Sequence, residues 1–450
     1  MSFISIEFFI FFPIVLVLYY LLSKLQNKTI STIFLLICNY IFYSFFDIRF
    51  SLLVLLTTIV TYICALNHQK KAFFIIGILF PLLILAFFKY FNFFLSTINL
   101  NTLNIILPLG ISFYTFEVIS YVVDVRLHKY EAEKDFLAYA TYVSFFPNIV
   151  SGPIERANNL LNQIKEGRKP SKKAFLSGIQ IIVIGLFKKM VIADQINVFV
   201  SDVYNTPSAF SSLTILLAII SYSIQIYMDF SGYSDIAVGC AKCLGFDFKR
   251  NFNLPYISQS ISEFWNRWHI SLSSWFKDYV YIPLGGNRKG KYRQYLNVII
   301  VMSLSGLWHG ASWNFVIWGL LNGIIMVIEK YFKKDRFKDF KPYRVLITFL
   351  LISLTWVFFK VDTFPKAIEI LSCLFSLQTG INQPYLYSFI GIIIVLTSII
   401  LVYKKDSKRN AYYPIQNLNT IKGLTIYFIL IGLLICLAYT NTSPFVYFQF

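Results

Sequence analysis

Charged side chains are what this chain has least of. Asp, Glu, Lys and Arg make up 14% of its 450 residues, against about 25% in ordinary soluble domains. So little charge cannot cover the surface of a water-soluble globule of this length, and no polar stretch is long enough to fold as a separate soluble domain. The six cysteines, at 38, 64, 240, 243, 373 and 436, are scattered and mostly sit in apolar stretches, where they read as small hydrophobes and not as disulfide partners. Cys240-Ala-Lys-Cys243 has C-x-x-C spacing, yet it lacks a second pair or a histidine partner, so no metal centre is expected. Histidine is scarce as well, four in the whole chain.

Apolar residues are abundant. They reach 57% with a mean hydropathy of +0.64, and runs near the ~20 residues needed to cross a bilayer recur from end to end. An all-α polytopic membrane protein follows, with roughly eleven transmembrane or re-entrant segments. Spans are expected near 3–22, 30–46, 50–66, 72–95, 175–194, 213–228, 345–360, 385–403 and 422–441. The first has no basic stretch before it and no small-residue cleavage site after it, so it reads as a retained span. The whole of 1–450 is expected to be one domain: scaffold spans over 1–100, a catalytic core over 105–330, and C-terminal spans over 345–450.

A net charge of +18 could suggest nucleic acid, but its distribution does not. The basic residues cluster in short loops between spans, including Lys165 to Lys173, Lys242 to Arg250 and Lys330 to Arg344. There the positive-inside rule uses them to fix orientation. Placing every such loop in the cytoplasm puts both termini outside.

Against this apolar background the polar interruptions stand out. In Ser303-Leu-Ser-Gly-Leu-Trp-His-Gly-Ala-Ser-Trp-Asn-Phe315 a histidine, His309, lies between two lipid-type runs. Ionisable groups at membrane depth are costly and mark functional sites by default. Ser305, Trp308, Ser312, Trp313 and Asn314 surround it with donors, acceptors and flat rings, as a pocket lining would. A continuous helix would put Ser305, His309 and Trp313 on one face, and Gly306 and Gly310 form a close-approach pair. The plain alternative is a hydrogen-bonded core histidine.

Asn251 to Lys291 is the most polar stretch. Ser260-Ile-Ser-Glu263 is a capping-box pattern, so a helix is expected from Ser260 through Trp275, with Trp265, Asn266 and His269 on one face. Arg267, Trp268 and Lys277 add cationic and stacking groups suited to a phosphate-bearing aromatic ligand. The basic turn Leu284 to Gly290 reads first as a topology anchor. Loop charges place His269 near the cytoplasmic side and His309 deeper, as two ends of one route.

Elsewhere the polar groups leave two readings open. Pro108 and Gly110 open a stretch carrying Glu117 and Asp124, either beside a cavity or on a kinked structural helix. Asp229 and Asp235 flank Gly232, where a cap and turn is the simpler reading. Trp356, Lys360 and Asp362 form either an acceptor rim or a surface belt.

Three motifs together, Glu263-Phe-Trp-Asn-Arg-Trp-His-Ile-Ser-Leu-Ser273, Asp278-Tyr-Val-Tyr-Ile-Pro-Leu-Gly-Gly-Asn-Arg288 and Gly306-Leu-Trp-His-Gly-Ala-Ser-Trp313, resemble the membrane-bound O-acyltransferase family. The resemblance is to its bacterial polysaccharide O-acetyltransferase branch, and it extends through Pro108 to Phe116, Ser151-Gly-Pro153, Tyr227 to Asp235, Trp356-Val-Phe-Phe359 and Phe445 to Phe450. It implies helices around a central tunnel in the bacterial cytoplasmic membrane. It implies acetyl-CoA as a cytoplasmic donor substrate, with no permanently bound cofactor, and an extracytoplasmic polysaccharide hydroxyl as acceptor, reached through a partner transferase or directly. The family's invariant histidine falls on His309 and its second polar position on His269. Heavy use of Phe, Ile, Lys, Asn and Tyr suggests an AT-rich genome and favours peptidoglycan over alginate. D-alanyl transfer to teichoic acid and, in another class, a transporter are the rivals.

Overall fold

The computed structural model describes residues 1–150, 152–332, 340–383, 389, 393, 420–439 and 445–446. Regular structure among them is helical. Among the described residues seven helices are long and apolar enough to cross a membrane: Ile6–Lys24, Ile48–Leu66, Lys71–Thr97, Lys172–Asn205, Ser212–Cys243, Trp313–Tyr331 and Pro342–Lys360. Lys28–Ser44 and Ile421–Leu437 are shorter apolar helices. The chain is a multi-pass membrane protein. The span expected at 385–403 falls, apart from two isolated residues, outside the described ones.

Two compact units form. One combines Met1–Ile184 with Tyr233–Lys249, and the other combines Gly185–Gly232 with the chain from Arg250 onward. In the first unit the break at Pro108 opens the helix Ile111–Arg126 through Gly110, whose φ is +70°. A Cβ there would lie 2.1 Å from the Ile149 carbonyl oxygen, so both conformation and space require glycine. Glu117, 1% exposed, accepts a hydrogen bond from Asn148 Nδ2 at 3.1 Å. This ties the helix to the short Phe146–Ile149 helix, which carries Pro147 in its first turn. Asp124 lies 3.9 Å from Lys129. Of the two readings left open for this stretch, the contacts of Glu117 and Asp124 are those of a structural helix.

The turn expected around Gly232 does not exist, because Ser212–Cys243 is one helix of 32 residues. Gly232 serves a close approach instead: a Cβ there would come 2.8 Å from the Gly185 carbonyl.

The second unit buries an ion triad that the sequence did not announce. Within the π-helical stretch Phe187–Ala193, Lys189 points its ammonium at Asp194 (2.8 Å) and Asp229 (2.6 Å). All three are at most 2% exposed. The second oxygen of Asp229 accepts the Val446 backbone N–H at 3.0 Å. An isolated ion in such surroundings is prohibitively costly, and mutual pairing plus a backbone donor makes this one tolerable. Lys189→Met alone should therefore destabilise the folded protein by about 3–5 kcal/mol, read as a lowered midpoint of thermal aggregation in detergent. Neutralising all three residues together should restore most of it.

Candidate active site

The helix expected from Ser260 to Trp275 is two helices, Ile261–Arg267 and Ile270–Phe276. Its start is as expected: Ser260 Oγ accepts the Glu263 N–H (3.1 Å), and Glu263 reaches back to the Gln259 N–H (2.9 Å). The break comes at His269, whose φ is +43°. There Asn253 N–H donates to the Arg267 carbonyl and Ile270 N–H to the Asn251 carbonyl, both at 2.9 Å. These bonds from a neighbouring segment replace helical ones. A left-handed non-glycine residue costs roughly 1–2 kcal/mol, and such strain gathers at functional sites. Trp265, Asn266 and His269 consequently do not share a helical face.

The break aims the His269 ring into the unit's interior. Nδ1 stands 3.1 Å from Asn251 Oδ1, which also accepts from Ser271 N–H (3.3 Å) and Oγ (2.9 Å). An amide oxygen can only accept, so Nδ1 carries the proton and Nε2 the lone pair. Burial pushes the imidazole down to about 3, which keeps it neutral at physiological pH.

His309 ends the helix Lys291–His309 and is 1% exposed. Its ring centroid lies 6.4 Å from that of His269, 5.1 Å from Trp308, 5.2 Å from Trp318 and 5.4 Å from Phe359. The two histidines therefore occupy one place, not two ends of a route. Trp356 stacks on Trp318 at 5.3 Å and is 1% exposed, so it is a wall of this aromatic box and not part of a surface belt. The hairpin partner of the His309 helix, Trp313–Tyr331, packs backbone to backbone: a Cβ on Gly306 would lie 2.1 Å from the Phe315 carbonyl oxygen. Gly310 is extended and ends the helix. Trp313 thus starts a separate helix, 56% exposed, and does not share a face with Ser305 and His309.

A cavity of about 620 Å³ adjoins the box, lined by Trp265, Asn266, Lys277, Arg288, Ser305 and Lys330 among others. Three of its lining residues are cationic and none is acidic, the electrostatics of a site for an anion. Ser305 lies one helical turn before His309. Trp265 touches Trp318 at 5.4 Å, and Trp318 touches His309, so a chain of rings connects the lining to the imidazole. Lys277 and Tyr281 reach the cavity from the π-helical stretch Lys277–Tyr281, a distortion frequent at functional sites. The Leu284–Gly290 turn, expected as an anchor, brings Arg288 to the lining and is held by Asn297 Nδ2 on the Gly286 carbonyl (2.9 Å).

Four other expected site residues have structural contacts. Arg267 binds Glu263 at 2.8 Å. Trp268 is fully buried among Phe252, Tyr256 and Phe264. Ser312 accepts the Asn314 N–H (3.2 Å), and Asn314 Nδ2 donates to the Val361 carbonyl (2.8 Å). Trp308 packs against both histidines, 5.9 Å from His269 and 5.1 Å from His309. Sequence reasoning missed Asn251, Trp318 and Phe359 as parts of the site; Asn251, as the first residue of the polar stretch, carried the one available signal.

A neutral base beside an anion-binding cavity, enclosed in a membrane protein, is equipment for taking a proton from a hydroxyl during acyl transfer. The chain belongs to the MBOAT, membrane-bound O-acyltransferase, family, whose sequence model matches residues 132–361, and it is an O-acyltransferase. The transporter alternative falls with this. A probable alginate O-acetylase, AlgI, of Pseudomonas putida is 33% identical over 99% of both chains. A peptidoglycan O-acetyltransferase of Helicobacter pylori is 34% identical over 82% of this chain and 79% of its own. A teichoic acid D-alanyltransferase of Bacillus subtilis is 33% identical over 57% and 67%.

Asn251→Ala should lower kcat by about tenfold or more by releasing the His269 ring, within the range ascribed to positioned acid–base groups. Asn251→Asp should move the acid limb of the pH–rate profile upward, since a carboxylate at Nδ1 favours imidazolium and removes the free base at higher pH. An unshifted limb in purified protein would show that the protonation of His269 does not bear on the rate.

Proposed function

We propose that this O-acyltransferase takes acetyl from acetyl-CoA at the cationic cavity and delivers it for O-acetylation of an extracytoplasmic polysaccharide across the bacterial cytoplasmic membrane. The observation that carries the reading is the cavity itself: Lys277, Arg288 and Lys330 line it, and it reaches Ser305, one turn from His309. Phosphates suit the cations, and the thioester arm suits the apolar part of the lining, which includes Trp265. Lys277, Arg288 and Lys330 lie in or beside the basic loops that the positive-inside rule assigns to the cytoplasm, where the coenzyme is made.

His309 acts as general base on the acceptor hydroxyl. The hydroxyl oxygen bonds to the acetyl carbonyl carbon while its proton passes to the imidazole. The carbon–sulfur bond then breaks and the thiolate takes that proton. His269, held neutral by Asn251, positions the thioester or assists the proton. Relatives named for alginate and for peptidoglycan support a polysaccharide acceptor. Peptidoglycan is the acceptor the residue composition favours, reached directly or through an extracytoplasmic partner transferase, whose own hydroxyl is then the one that meets His309.

His309→Ala should abolish acetyl transfer while the protein still inserts and folds. Mass spectrometry of wall and capsule glycans from cells carrying only that variant checks both points, naming the acceptor by the acetyl group it loses. Unchanged acetylation would overturn the role of His309.

A further inference from the structure

Among the buried polar groups of the second unit, two indole N–H groups stand out by where they lie. Trp265 is 7% exposed and Trp318 is 1% exposed, and neither Nε1 has a hydrogen-bond partner among the described residues. A buried donor left unmade carries a cost of about 1–3 kcal/mol, large enough that each such group calls for an explanation. Phenylalanine would fill either place without that cost. Both rings also lie on one path. Trp265 lines the cavity, Trp318 packs against Trp265 at 5.4 Å and 76°, and Trp318 meets His309 at 5.2 Å and 84°. The two indoles thus form a chain of ring contacts from the cavity lining to the imidazole.

We propose that the indole N–H groups of Trp265 and Trp318 are the hydrogen-bond donors for the oxyanion of acyl transfer. When the hydroxyl oxygen bonds to the carbonyl carbon, the carbonyl π pair moves onto oxygen and the hydroxyl proton moves to the imidazole. The negative charge formed needs donors that are already in place and shielded from water. As the pair returns, the carbon–sulfur bond of a thioester donor breaks and the thiolate takes the proton from the imidazolium. The indoles exchange no proton in either half. His309 and His269 handle the proton, and the indoles meet the charge on oxygen. The aromatic box thereby supplies a second catalytic component besides the base. The inference rests on acyl transfer at His309 and is independent of which acceptor receives the group.

The test replaces each tryptophan in the full-length protein by 3-benzothienylalanine, which keeps the bicyclic shape and exchanges N–H for sulfur. Acetyl-CoA turnover is followed in detergent as thiol release. Loss of one oxyanion donor typically lowers kcat by about 10²–10³-fold, so a fall of that order at either position, with KM unchanged and the thermal midpoint retained, supports the assignment. Trp265→Phe and Trp318→Phe should show the same split. Wild-type kcat in both benzothienylalanine proteins overturns it, as does a rise in KM with unchanged kcat, which would make the indoles binding surface only. If the wild-type protein releases no thiol from acetyl-CoA, the proposed donor is wrong. The same substitutions are then scored on acetyl groups of the wall glycans, where undiminished acetylation in both variants overturns the oxyanion role separately.

Discussion

A ring sealed away from water is tolerated only while it stays uncharged, and the arrangement around His269 follows from that requirement. A carboxylate at Nδ1 would favour the cation. Asn251 instead offers an oxygen without charge, fixes the tautomer and leaves the lone pair on Nε2. The backbone accepts a left-handed residue at 269 because Asn251 and Asn253 supply the hydrogen bonds that a helix would otherwise provide. Strain, tautomer and neutrality are thus set by one short segment lying alongside the break.

The protein treats charge differently at its two buried polar centres. Around the histidines it gathers aromatic rings. In the Lys189–Asp194–Asp229 triad it concentrates charge and pairs it, and it uses the spare carboxylate oxygen to hold the backbone at Val446. Phe230, next to Asp229 in the chain, packs edge-on against His269 at 4.7 Å, and its ring also meets Phe445. The two centres are therefore neighbours through a single aromatic side chain.

The membrane class and most spans were legible in the sequence because hydrocarbon demands long apolar runs, and these are visible without any tertiary information. His309 and His269 were legible for the converse reason, since an ionisable group in such surroundings is conspicuous. Periodicity failed where long-range bonds outweighed local preference. Nothing in Trp265 to Trp275 reports that Asn251 and Asn253 will intercept the backbone at 269, and nothing near Trp313 reports that Gly310 will be extended. The fold brings the two histidines within 6.4 Å of each other, where the loop charges had placed them apart. Lys189 was hidden for a related reason. In sequence it resembles any lysine near the end of a span, and only the fold reveals that Asp229, forty residues later, faces it.

The π-helical stretches have an evolutionary consequence. A wider turn holds one residue more than a regular helix needs, so each behaves like an insertion that the helix has absorbed. Deleting a single residue from Lys277–Tyr281 would rewind it and swing the side chains before it by about 100° relative to those after it. The cationic wall of the cavity would be lost with the helix itself intact. A length change at this place is thus a route by which a descendant of this chain could keep its architecture and surrender its substrate.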